Sequence, residues 1–461
     1  MAKRKIRWVI GSVLIILVLV VLSSLYERKP AVTISVGDWP RENTARRRVY
    51  EDYAALIRKK HNILIEPDEW AYSINSFLPK AAVGKLPTIY NTWFTEVQKI
   101  ISAGYAVDIT AALQERGWDR ALNPLVAEII MRDGKYYGFP RDAYLMGLMC
   151  NLKLFRAAGL VDANGRPLLP QTYEELIRTA RIIKEKTGAA GFLIETNGNG
   201  GGWHFMNIAW SYGAEFEQEV DGKWRAVFNS PEAVAALQLI KDLRWKYDVL
   251  PDHTLIDWAK AQELIATDQC AMKFEAGFDH NGFDYVIDHY NMAKEDIAMT
   301  SVPAGPKGRV ALMGGNIYMF APNSTAEQLE AALEWLRLLG MSPDVSAEGL
   351  RYIEDSYRND YNNGYVVGNV GVPVWTDPAF LAANEAIRAK YVNVDLEHFQ
   401  SFIEKPAVTI RLEEPFYCQE LYAILDGVIQ TVITDPQADP QVLLDQAVEK
   451  FQKEYLDKLG R

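Results

Sequence analysis

Ala31-Val32-Thr33-Ile34-Ser35-Val36 runs directly into Gly37-Asp38-Trp39-Pro40. The first six residues are mostly β-branched and read as a strand, while the next four, with their Gly and Pro, read as its exit loop. A helical pattern over residues 44–60 follows, then Asn62-Ile63-Leu64-Ile65-Glu66-Pro67 as a second strand, a helix over 74–84, and Pro87-Thr88-Ile89-Tyr90-Asn91 as a third strand. Strands alternating with helices predict an α/β layer with a mostly parallel sheet. In such sheets ligands lie beyond the carboxyl ends of the strands, which makes Asp38, Trp39, Trp70, Asn91 and Trp93 candidate ligand contacts by position alone.

The chain has 461 residues, 49% of them hydrophobic, too many for one ordinary core, so two lobes are expected. A formal net charge of -11 argues against a nucleic-acid partner, because phosphate binding needs a surplus of Lys and Arg. Twelve Trp and 23 Tyr can supply stacking surfaces beyond what the core takes. Cys150, Cys270 and Cys418 are widely spaced and odd in number, so they define neither a disulfide framework nor a zinc site and read as buried, unpaired thiols, with a Cys150–Cys270 bridge as the alternative.

Lys3, Arg4, Lys5 and Arg7 precede an apolar run over residues 8–26, uncharged from 9 to 22. That length crosses a bilayer as a helix, and the basic flank keeps the N-terminus in the cytoplasm. An uncleaved anchor is the preferred reading; the alternative is a signal peptide cut near Val21-Leu22-Ser23. No Cys follows the run to carry a lipid.

Farther on, residues 133–140 read as a hairpin leading into an extended crossing segment. Residues 151–159 form a short helix, and Thr172 caps a longer one through Glu175. Asn197-Gly198-Asn199-Gly200-Gly201-Gly202-Trp203 reads as a flexible polar loop ending in an aromatic. Helices are expected over 230–247, 261–266 and 327–339, with two more closing the chain over 418–433 and 440–459. Strands are expected over 271–275, leading to Ala276-Gly277-Phe278-Asp279, and over 297–302 and 315–321.

An extracytoplasmic protein rich in carboxylates and aromatics could be a glycoside hydrolase, which needs an acid/base pair flanking the bond it cuts. Glu413 and Glu414 are adjacent and point apart on a strand. There is no GxSxG elbow, HExxH helix, Walker loop or GxGxxG after a strand, and the six His are dispersed. The expectation is a non-enzyme without metal or cofactor.

The order of several segments resembles the family 1 extracellular solute-binding proteins of ABC importers, the maltose- and oligosaccharide-binding group. Gly84-Lys85-Leu86-Pro87-Thr88-Ile89 resembles the family's G-x-x-P-D-V/I strand, with Thr88 where Asp is usual. Gly104 to Thr110 resembles G-x-L-x-D-L-T, and Asp133 to Pro140 resembles D-G-K-x-Y-G-x-P. Asn151 to Leu160 is similar to Y-N-K-x-L-F-x-x-A-G-L, with Cys150 in place of the Tyr, and Pro170 to Leu176 is similar to P-x-T-W-D-E-L.

The resemblance implies a two-lobe, periplasmic-binding-protein-like α/β fold with hinge crossings, here preceded by the N-terminal helix. Crossings are expected at 140–142, 297–303 and 341–344. Residues 1–28 would be the cytoplasmic N-terminus and anchor, 32–141 plus 298–342 the first lobe, and 142–297 plus 343–461 the second. A carbohydrate would be trapped between the lobes. Asp38, Trp39, Trp70, Asn91 and Trp93 would face it from the first lobe, Arg141 and Asp142 from the hinge, and Asn316 from the returning strand. Trp203, Glu275, Phe278, Asp279 and Tyr417 would face it from the second lobe. The implied protein is a monomer on the extracytoplasmic face of the membrane, serving ABC permease subunits. A tethered receptor for a sensor kinase is the competing role.

The native protein should partition with membranes. Recovery of a soluble mature form beginning near Ser24 would show instead that the apolar run is removed.

Overall fold

A computed structural model of the chain describes residues 30–42, 44–277, 282–368, 371–404 and 408–459. The expected membrane span at 8–26, and Phe278 and Asp279, lie outside the described residues. Among the described residues no helix is long and apolar enough to cross a membrane.

Strands β1 (Val32–Val36) and β2 (Ile63–Pro67) pair in parallel, from Val32 opposite Ile63 to Val36 opposite Pro67. Strand β3 (Ile89–Trp93) joins the other side of β1, also in parallel. Helix Ala45–His61 makes the first crossover. Thr44 caps it by accepting from the Arg47 amide, and Asn62 ends it at φ 57, a conformation Asn tolerates. Four basic residues, Arg58 to His61, sit in its last turn, where the helix dipole favours positive charge.

Two short hairpins pair β4 (Met131–Arg132) with β5 (Lys135–Tyr136) and β7 (Glu217–Val220) with β8 (Lys223–Ala226). In the first, Asp133 and Gly134 both have positive φ, as a tight two-residue turn requires. The remaining strands are β6 (Gly138–Asn151), β9 (Met272–Gly277), β10 (Ile297–Ser301), β11 (Arg309–Phe320) and β12 (Val408–Leu412). The main sheet runs β10-β6-β11-β3-β1-β2, with β9 also on β6 and β12 also on β11.

β6 and β11 are adjacent, antiparallel and long enough to belong to both lobes. β6 begins beside the first-lobe half of β11, with Phe139 opposite Tyr318, and ends between β9 and β10, with Cys150 opposite Met272 and Ala298. β11 begins beside β12 and ends beside β3, with Asn316 opposite Trp93. The sheet is therefore mixed rather than mostly parallel, because a chain that leaves a lobe in one extended strand returns antiparallel in the next. The register slips where Asp142 faces Asn316 but Pro140 faces Ile317, which leaves Arg141 as the extra residue of a β-bulge. Pro140, with no amide proton to donate, sits at this break in the ladder.

Several expected assignments change. β10 pairs with the second-lobe end of β6, so the return to first-lobe strands falls at residues 314–316 rather than 297–303. Residues after Asp344 also stay with the first lobe for a time. Helix Ala347–Asn362 packs on helix Ala45–His61 through Tyr352 and Tyr53, with ring centroids 5.0 Å apart, and the Tyr53 hydroxyl donates to Asp355. Trp375 lies edge-on against Phe139. A sequence shows that an element has an apolar face, but not which neighbour covers it.

The expected glycine-rich loop is the start of helix Gly200–Tyr212. A Cβ at Gly200, Gly201 or Gly202 would collide with Glu195, Asp426 or the Tyr422 backbone, so the glycines allow helix Cys418–Thr434 to pack closely against this one. Asp426 accepts from the Asn199 and Gly202 amides at 2.7 and 3.0 Å, satisfying donors that the first turn leaves free. Gly202→Ala should destabilise the ligand-free protein by about 1–3 kcal/mol through overpacking. Denaturant unfolding measures this, and parental stability would show that the two helices have room to separate.

Candidate functional site

A cleft of about 440 Å³ opens where β6 and β11 pass between the lobes, with lining residues from both sides. Its first-lobe wall is a polar chain. The Arg141 guanidinium, turned out by the bulge, forms an ion pair with Asp38 and lies 3.5 Å from Asp142. Asn316 donates to Asp142 at 2.7 Å, and Asn91 donates to Asn316 at 3.3 Å. Four strands or strand exits are thus tied together beneath Trp93. Arg46, on the first turn of its helix, pairs with Asp284 at 3.0 Å.

The second-lobe wall is aromatic and acidic. Trp203 meets Tyr144 edge-on at 6.1 Å, and Trp258 and Tyr422 also line the space. The Tyr422 hydroxyl donates to Glu413 at 2.9 Å. Burial pushes the Glu413 carboxyl up to about 8, against the relief of that hydrogen bond. Glu195 is 2% exposed, and burial likewise pushes it up to about 8, partly offset by Lys273. Beside it the His204 Nδ1 accepts from the Glu195 amide, leaving Nε2 as the protonated nitrogen, 3.7 Å from the Glu195 carboxylate. Burial holds His204 well below its usual range, so the ring stays neutral.

Contacts also join the two walls at the rim. Besides Arg46 with Asp284, Lys99 pairs with Glu420 at 2.8 Å and the Gln419 amide donates to Thr95 at 3.1 Å.

Of the residues picked out from the sequence, Asp38, Asn91, Trp93, Arg141, Asp142, Trp203 and Asn316 are brought together along this cleft. Trp39, Trp70, Glu275 and Tyr417 are not among its lining residues. Trp39 follows Asp38 but turns into the core, 2% exposed and stacked on Trp335 at 6.0 Å. Trp70 lies under Lys80 and donates to Ser76. Glu275 precedes the cleft-lining Ala276 on β9 and so faces the other way, paired with Lys273 at 2.7 Å. Tyr417 leans on Tyr455, with centroids 5.4 Å apart.

Sequence reasoning missed Arg46, Tyr144, Glu195, Trp258, Glu413, Gln419 and Tyr422. Tyr144 was within reach, since it lies two residues beyond Asp142 on one strand and two-residue periodicity puts both on one face. The others depend on long-range packing. Glu413 and Glu414 do point apart, Glu413 toward the cleft and Glu414 toward Arg411. Among the described residues no group of His, Cys, Asp and Glu could hold a metal ion. What the cleft offers is stacking and hydrogen bonding.

The family model for the bacterial extracellular solute-binding protein matches residues 64–340, and the chain belongs to that family. Solved structures of similar shape include the maltose-bound MalE3 of T. maritima, 19% identical with a TM-score of 0.67, covering 92% of this chain and 100% of that one. The GacH receptor of Streptomyces glaucescens, solved unliganded and with acarbose, is 18% identical with a TM-score of 0.67, covering 93% and 99%. The Thermus thermophilus maltotriose binding protein, bound with maltotriose, is 17% identical with a TM-score of 0.64, covering 91% and 99%. At these identities the likeness establishes the two-lobe fold.

Trp39→Ala should cost about 3–5 kcal/mol of ligand-free stability, as removal of a fully packed core aromatic does. Trp93→Ala should cost less than half as much, because Trp93 is only partly buried. Equal losses in denaturant unfolding would place Trp93 in the core.

Proposed function

We propose that this solute-binding protein captures a carbohydrate between its lobes and delivers it to an ABC importer. The observation that carries the reading is the pairing of aromatic faces with hydrogen-bonding side chains on both walls of one cleft: Trp93 with Asp38, Asn91 and Asp142 on one side, Trp203 with Glu195 and Glu413 on the other. A sugar ring presents apolar C–H faces and a rim of hydroxyls. Indole faces accept the former, and carboxylates and amides serve the latter with charge-assisted bonds. The sugar-bound structural neighbours support the same ligand class.

Opening and closing follow from the joint. Bending β6 at Arg141 and β11 at residues 314–316 would move one wall relative to the other. Ligand bridging Trp93 and Trp203 would favour the closed form, whose shape a permease can read. Since the family consists of binding proteins, the ligand should leave chemically unchanged.

A saccharide at 100 times its Kd should stabilise the protein by about 2.7 kcal/mol, a rise of roughly 3 °C in Tm. Malto-oligosaccharides, xylo-oligosaccharides and monosaccharides form the screening panel. Trp93→Ala and Trp203→Ala should each weaken the best ligand about tenfold or more. A panel without a single stabilising sugar would refute the carbohydrate assignment, and normal binding by both variants would relocate the site.

A further inference from the structure

The two walls of the cleft differ in charge. On the first-lobe wall both guanidiniums are already matched: Arg141 lies between Asp38 and Asp142, and Arg46 pairs with Asp284. The second-lobe wall presents Glu195 and Glu413, and no Lys, Arg or His is among the described lining residues there. The nearest second-lobe cation, Lys273, is 0% exposed and holds Glu275 at 2.7 Å, with Glu195 only at 4.0 Å. Arg411, two residues before Glu413, is engaged with Glu215 and Glu414 instead. The buried Oε1 of Glu195 has no hydrogen-bond partner.

Closing the lobes removes water from this wall. A carboxylate losing its solvent without gaining a cation is strongly disfavoured; the Tyr422 hydroxyl gives Glu413 a single donor, and the ring faces of Trp203 and Tyr144 give none. The same rings welcome a cation, through their electron-rich faces. An ammonium group would supply the missing charge together with three donors, more than a hydroxyl can offer. Resting on the carbohydrate reading above, we propose that the ligand is an amine-bearing saccharide whose ammonium group lies against Glu413, with Glu195 as the deeper counter-charge. Burial favours the protonated carboxyls, and a cation beside them shifts them toward the ionised form.

Matched sugar pairs test the idea by calorimetry on the full chain in detergent. Glucosamine, galactosamine and the glucosamine trimer are each compared with the N-acetyl counterpart, which keeps the ring and loses the charge. At least one free amine should bind about tenfold tighter than its N-acetyl partner, and raised salt should narrow the gap. Glu413→Gln should erase the preference, and Glu195→Gln should reduce it. Equal or tighter binding of every N-acetyl sugar, or a preference that survives Glu413→Gln, would overturn the proposal while the carbohydrate reading stands. Failure of charged, N-acetylated and malto-oligosaccharide probes alike would overturn both.

Discussion

The antiparallel pairing of β6 with β11 is the constraint on which the molecule depends. Each strand has one end in each lobe, so the sheet that builds the two cores also joins them. A continuous ladder would make that joint stiff. The bulge at Arg141 and the proline before it interrupt the ladder where the lobes meet, so the bend has a defined place. The same irregularity turns Arg141 toward Asp38 and Asp142. One local departure from regular pairing thus sets both the break in the ladder between the lobes and the polar floor of the cleft.

Behind the second-lobe wall lies a layer of buried polar groups. Lys273, Glu275 and Gln262 form a bonded cluster, with His204 and Glu195 beside it, and none of the five exceeds 2% exposure. Such a layer contributes little net stability, since desolvation offsets most of the attraction between the charges. Its members have few alternative partners, however, and that restricts the positions open to Trp203 and Glu195. The first-lobe wall is fixed differently, by side-chain bonds linking β1, β3, β6 and β11. Each wall is therefore held together by bonds of its own.

Much of this was legible in the sequence because it is local. The β-branched run at Val32–Val36, the cap at Thr172 and the turn at Asp133-Gly134 each act within a few residues. Ordered segment motifs pointed to the two-lobe family. Which side of a strand exit faces the cleft was harder: Asp38 and Trp39, like Ala276 and Glu275, differ by one residue and face opposite ways. The glycines at 200–202 suggested mobility, whereas their purpose is close helix packing that only Tyr422 and Asp426 reveal. Glu413 reaches the cleft because β12 pairs with β11, and no local pattern announces a partner so far away.

The interleaving of the lobes also governs how the chain comes together in time. The acidic cap on helix Gly200–Tyr212 comes from Asp426, 224 residues beyond Gly202, and the last strand of the sheet to be synthesised, β12, pairs with the beginning of β11. Contacts of such long sequence separation form late, because loop closure must precede any gain from them. The second lobe cannot be finished while its C-terminal segment is still on the ribosome. Until that segment is free, the second lobe lacks both its last strand and the acidic cap on helix Gly200–Tyr212, so its closing contacts form only after synthesis ends.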